Sequence, residues 1–183
     1  MAGGRDYEPS KLSELVLYIA DKSLSDSRFG KTKLNKILFF SDFLAYQRTG
    51  RAVTGAAYFH LPNGPAPHQI MPVLQDLTSD GRAVIKGEQT FAGTQHRVVA
   101  LREAILDGFT GEEIAVVDYV LDRLRPMTNT EVSDLSHRTV AWRVTDNEQE
   151  IPYGSAMLSS ESIPTEEDLA WLGEIANAGV GAS

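Results

Sequence analysis

Lys31-Thr-Lys-Leu-Asn-Lys36, Ile37-Leu-Phe-Phe-Ser-Asp-Phe43, Thr49-Gly-Arg51, Tyr58 and Leu61-Pro-Asn-Gly-Pro-Ala-Pro67 belong to one stretch, residues 31–67, that decides the fold. Leu34, Ile37, Leu38, Phe40, Phe43, Leu44 and Tyr46 recur at helical spacing and predict a helix from about Thr32 to Arg48 with a wide apolar face. Gly50 is placed to end it in the left-handed conformation. Ala56 to Leu61 reads as a short strand, and Pro62-Asn-Gly-Pro65 as a turn, because Gly and Pro supply the dihedrals that turns need. Pro67 suits the first turn of a further helix, where a missing amide costs little.

Before this stretch, Pro9-Ser10 opens a helix carrying Leu12, Leu15, Val16 and Ile19, and 23–30 is a polar loop. After it, Ile70, Val73, Leu74 and Leu77 mark a helix closed by Gly81. Residues 83–86 and 97–101 read as two strands around a long tip, 87–96. Thr110-Gly-Glu-Glu113 and Thr128-Asn-Thr-Glu131 are capping boxes, since Thr can accept from the amide three residues on while Glu reaches back. The first starts a helix with Ile114, Val117, Leu121 and Leu124 that Pro126 ends; the second starts one running to about Val140. A linker follows from about 155, and Thr165-Glu-Glu-Asp168 would cap a last helix with Leu169, Trp171, Leu172 and Ile175.

The division expected is a flexible lead 1–9, one domain 10–155, and a linker with a helical extension, 156–183. The fold class is α+β: a mostly helical single domain with a small antiparallel sheet, compatible with a winged-helix arrangement. A chain of 183 residues buries about 70% of its unfolded surface, enough for a core without disulfides. There is no cysteine, which excludes thiol catalysis and suits a reducing, cytoplasmic setting. No apolar run approaches the ~18 residues of a membrane helix, and Met1-Ala-Gly-Gly-Arg-Asp6 has no signal-peptide core, so no membrane partner is expected.

The net charge of −8 is unevenly spread. Residues 1–50 hold eight Lys/Arg against six Asp/Glu, 51–109 five of each, and 110–183 four against fourteen. The acidic last third repels phosphates and attracts basic proteins. The helix-turn-hairpin order of 65–101 resembles a winged element, but 65–80 and 87–96 contain no Lys or Arg to meet DNA backbone or base edges. Nucleic-acid binding is therefore not expected there. Arg28, Lys31, Lys33 and Lys36 form the one dense basic cluster, read either as a solvated helix face or as a patch for an acidic partner.

Chemistry-bearing patterns are few. Gly30-Lys31-Thr32 ends like a phosphate-binding loop, but Ser25 stands where the first Gly is needed and a helix precedes it instead of a strand. His60, His68, His96 and His137 include no helical i, i+4 metal pair. Ser136 and His137 are adjacent, and so point about 100° apart on a helix, poor geometry for nucleophile and base. A structural hydrogen bond is the role expected of His137. Asp118 with Asp122, and Glu131 with Asp134, read as solvated charge. Trp142 and Tyr153, with Phe39, Phe43 and Tyr46, are aromatics that serve either the core or an interface; Trp142 is expected in the core, beside Leu135 and Val140.

The 31–67 stretch, followed by Glu131 to Trp142 with Leu135-Ser-His137 and Ala141-Trp142, and then Ile151-Pro-Tyr153, resembles the Panacea, or SocA-like, antitoxin domain family of bacteria and phages. The resemblance spans roughly residues 10–155. It implies an antitoxin that binds and neutralises a cognate protein toxin, basic or RNA-targeting, with no cofactor and no catalysis. A homodimer is compatible with it. The candidate partner-binding residues are Phe39, Phe43, Tyr46, Lys33, Lys36, Trp142 and Tyr153. A nucleic-acid-binding regulator and a phage-associated adaptor are the alternatives.

Overall fold

The computed structural model describes residues 7–90 and 93–158. The flexible lead and the predicted last helix at 165–175 lie outside them, apart from the first residues before Pro9. The fold is α+β, as the sequence implied. In chain order the helices are α1 (Pro9–Lys22), α2 (Lys31–Thr49), α3 (Ile70–Ser79), α4 (Gly111–Leu124), α5 (Asn129–His137) and α6 (Val140–Arg143), followed by a 3-10 helix, Tyr153–Leu158. The strands are β1 (Tyr58–Phe59), β2 (Ala66–Pro67), β3 (Ala83–Thr90), β4 (Gly93–Ala100) and β5 (Glu150–Ile151).

Helix α2 is the axis of the molecule. Its Leu34, Ile37, Leu38, Phe39, Phe43, Leu44 and Ala45 are all buried, which puts apolar side chains around most of its circumference. A helix apolar on nearly every side must be covered on nearly every side, and α1, α4, α5, β2, β4 and the 3-10 helix all pack on it. Gly50 ends it at φ 73°, with its amide bonded to Tyr46 O at 2.8 Å.

Two separate small sheets replace the single one expected. β1 is the middle strand of a three-stranded antiparallel sheet, β2-β1-β5, with Tyr58 opposite Pro67 on one side and Ile151 on the other. β3 and β4 form an antiparallel hairpin from Ala83↔Ala100 to Thr90↔Gly93. Its strands run on through most of the span read as a long tip: Gly87↔His96, Glu88↔Gln95 and Gln89↔Thr94 pair, so only residues 91–92 connect them. Backbone pairing there prevailed over side-chain composition, because the polar, Gly-containing stretch faces solvent and needs no apolar alternation. Pro67 also departs from expectation. It lies in β2, and α3 starts at Ile70, after the chain has paired with β1.

Both capping boxes form as read. Thr110 Oγ1 accepts from Glu113 N and Thr128 Oγ1 from Glu131 N, each at 3.2 Å, while the two Glu side chains return to the cap amides. The helix from Thr128 stops earlier than expected, at His137; Thr139 then caps α6 by accepting from Trp142 N.

Buried polar side chains tie the elements together. Lys33 Nζ donates to Asp26 Oδ2 at 2.7 Å and to the carbonyls of Arg125 and Met127 at 2.9 and 2.8 Å, so α2 holds the end of α4. Arg97 donates to the carbonyls of Asp26, Ser23 and Leu24 at 2.7–2.8 Å, pinning the hairpin to the loop between α1 and α2. Lys33 and Arg97 thus each meet several acceptors, the condition under which burial of a charge is tolerated.

Candidate partner-binding site

The aromatic side chains of α2 begin a ladder that climbs from the core to the surface. Phe39 and Phe43 are 1% and 4% exposed, with ring centroids 4.3 Å apart. Phe43 then meets Tyr153 at 4.8 Å, and Tyr153 meets Tyr46 at 5.4 Å. Tyr46 and Tyr153 are half-buried. The Tyr153 hydroxyl donates to Ala56 O at 2.7 Å. Burial, with the Asp42 carboxylate next, pushes that hydroxyl far above the ordinary tyrosine range.

Beneath the ladder lies Asp42, fully buried. Thr54 N donates to its Oδ1 at 2.7 Å, while Thr54 Oγ1 and the Tyr58 hydroxyl donate to Oδ2 at 2.6 and 2.7 Å. Burial raises the carboxyl above its usual range, and these donors pull it back only in part. The arrangement clamps α2 to the segment leading into β1. Its sequence signal is a carboxylate set within an apolar helix face, between Phe39 and Phe43.

A second aromatic group forms where α5 and α6 meet β1. Trp142 is sandwiched between His60 and His137, with ring centroids 3.9 and 4.2 Å away and interplanar angles of 23° and 26°. Thr145 Oγ1 lies 3.1 Å from Trp142 O, to which it donates, and 3.2 Å from His60 Nδ1. Trp142 Nε1 and His137 Nε2 are buried atoms with no hydrogen-bond partner among the described residues. The role expected of His137 is corrected accordingly: it stacks on Trp142 where a hydrogen bond was foreseen. Burial first, and then Lys36, hold its imidazole below the usual range. Trp142 is half-buried, between the two locations considered for it. α6, which carries it, packs against the 3-10 helix that begins at Tyr153.

The basic cluster does not survive as a surface. Lys33 and Lys36 are 0% and 1% exposed, and only Lys31 and Arg28 reach solvent appreciably. Both readings of the pair, solvated face and partner patch, are corrected: Lys33 and Lys36 point inward because neighbouring segments cover their sides of α2. Phe39 and Phe43 are likewise interior. Of the seven candidate residues, Tyr46, Trp142 and Tyr153 retain accessible surface, and Phe39, Phe43, Lys33 and Lys36 are buried. Asp118 is also engaged, accepting from the Tyr18 hydroxyl at 2.7 Å.

Lys36 reaches under the turn 61–67. Its Nζ donates to Pro65 O at 3.0 Å. Gly64, at φ 88°, lies so close that a Cβ there would stand 2.7 Å from Lys36 Cε and 2.4 Å from Ser136 Oγ. That turn, α5 and the middle of α2 are thereby packed into one unit.

This unit lies within the span of a family match. The profile of the family described as antitoxin SocA-like, Panacea domain, matches residues 34–143, more than half of the chain. The chain belongs to that family. No curated protein and no solved structure matches it. Among the described residues there is no cluster of His, Cys, Asp and Glu suited to a metal ion, and no helix long and apolar enough to cross a membrane.

Proposed function

We propose that this protein neutralises a cognate protein toxin by binding it directly, and that it is not an enzyme. The match of residues 34–143 to an antitoxin family carries this reading. The contact surface is formed by Tyr46 and Tyr153, backed by Phe39 and Phe43 from within, and by Trp142 on α6. Half-buried Tyr and Trp held by stacking present large contact area with little conformational entropy left to lose, the profile of interface anchors. The toxin is a basic or RNA-targeting protein, because the acidic last third of the sequence would steer a basic partner. The setting is the cytoplasm of a bacterium, in a prophage or phage-defence context. The nucleic-acid alternative is disfavoured by the absence of Lys and Arg from 65–80, which includes α3.

The test is co-expression with the toxic product of an adjacent gene. Restored growth and co-purification of the pair are expected, and Tyr46→Ala with Trp142→Ala should release the toxin while circular dichroism shows an intact fold. Rescue without any complex, or turnover of a substrate by the purified protein, would overturn the reading.

A further inference from the structure

The buried amine of Lys36, beside His137, is a feature that packing alone does not account for. Among the described residues no carboxylate lies within ion-pair distance of it. Among the described residues its single hydrogen-bond partner is Pro65 O, although an ammonium has three protons to place. The contrast with Lys33, one turn earlier, is direct: Lys33 has Asp26 and two carbonyls.

We infer that Lys36 is a proton-controlled latch on the turn 61–67, closed while its amine is neutral and loosened when the amine takes up a proton. The geometry sets the direction. Gly64 rests on the end of the side chain, and Pro65 supplies the only acceptor among the described residues, so the turn is the lid over this amine. A neutral amine is satisfied by one carbonyl in a dry site; an ammonium is not, and gains by reaching water. The way out is through the turn, whose residues Leu61, Pro62 and Asn63 are exposed and which contains no ionisable side chain to hold the charge in place.

The groups facing the latch do not favour the charged form. α5 brings His137 beside it, and the segment just after β1 brings His60 across the Trp142 ring. Asp134 of α5, exposed, acts on His137. Ser136 is uncharged and gives its proton to Ser133 O at 2.7 Å. Burial lowers Lys36 from 10.5 to about 7. The folded value lies below the unfolded one. The closed turn is therefore most stable above pH 10.5 and loses stability as the pH falls toward about 7, where the effect levels off. His137, held below the usual imidazole range, stays neutral through that window.

Hydrogen exchange on the full chain between pH 7 and 9, corrected for intrinsic rates, tests this. Protection of the 61–68 segment, which includes Gly64 N bonded to Leu61 O at 2.7 Å and His68 N bonded to Ala57 O at 2.7 Å, should fall about tenfold per pH unit on going down. The amides of α4 serve as internal reference and should not follow. Lys36→Met should remove the dependence. If that variant does not fold, the 13C resonance of the Lys36 ε-carbon in the wild type decides, with a midpoint near 7 expected. A midpoint near 10, or 61–68 protection that tracks α4 at every pH, would overturn the latch.

Discussion

Replacing Gly64 by Ala probes the close approach that joins α2, α5 and the 61–67 turn. Two costs add. At φ 88° a side chain meets its own backbone, worth ~1–2 kcal/mol. The new methyl would also stand 2.4 Å from Ser136 Oγ and 2.7 Å from Lys36 Cε, both fully or nearly fully buried. Such distances force one group to move, and overpacking of this kind costs ~1–3 kcal/mol. The expected loss is therefore ~2–5 kcal/mol. Gly50 and Gly81 provide the controls, because both have positive φ, 73° and 67°, yet neither would bring a Cβ within 4 Å of another group. Their Ala variants should lose only the backbone part, ~1 kcal/mol after the smaller entropy of the unfolded chain is counted. Urea denaturation of the three variants separates the two costs, and Gly64→Ala combined with Ser136→Ala should recover part of the loss, since the two sites share a contact. Equal destabilisation by Gly64→Ala and Gly50→Ala would refute the close approach and, with it, the packing of the turn onto Lys36.

Asp42→Ala should cost ~3–5 kcal/mol in chemical denaturation, because it strands the buried donors of Thr54 and Tyr58; adding Tyr58→Phe should return some of it. Thr110→Ala and Thr128→Ala should each cost ~1 kcal/mol in thermal melts through loss of the capping bond, and the two losses should add. Trp142→Ala should lower the denaturation midpoint moderately, as expected of a half-buried stacked ring, and should weaken toxin binding by ~2 kcal/mol or more in calorimetry; a full loss of folded protein would place Trp142 in the core alone.

The helices and their ends were legible in the sequence because their causes are local. Capping boxes at Thr110 and Thr128 use bonds between residues three apart, and Gly50 ends α2 through its own dihedral. The wide apolar face of α2 announced a helix needing cover on several sides. The resemblance carried by 31–67 and 131–153 was sequence information too, and it gave the family. What the chain could not announce were the partners of its polar residues. Lys33 and Lys36 sit on the same helix three residues apart, and only tertiary contacts make one a saturated ion pair and the other an amine with a single carbonyl. The His60-Trp142-His137 stack gathers residues from the loop after β1, from α6 and from α5, and the Asp42 clamp gathers donors from 12 and 16 residues away. Local periodicity tells how a segment turns about its own axis. It does not say which distant segment will cover each side, and burial of a charge is decided by that covering.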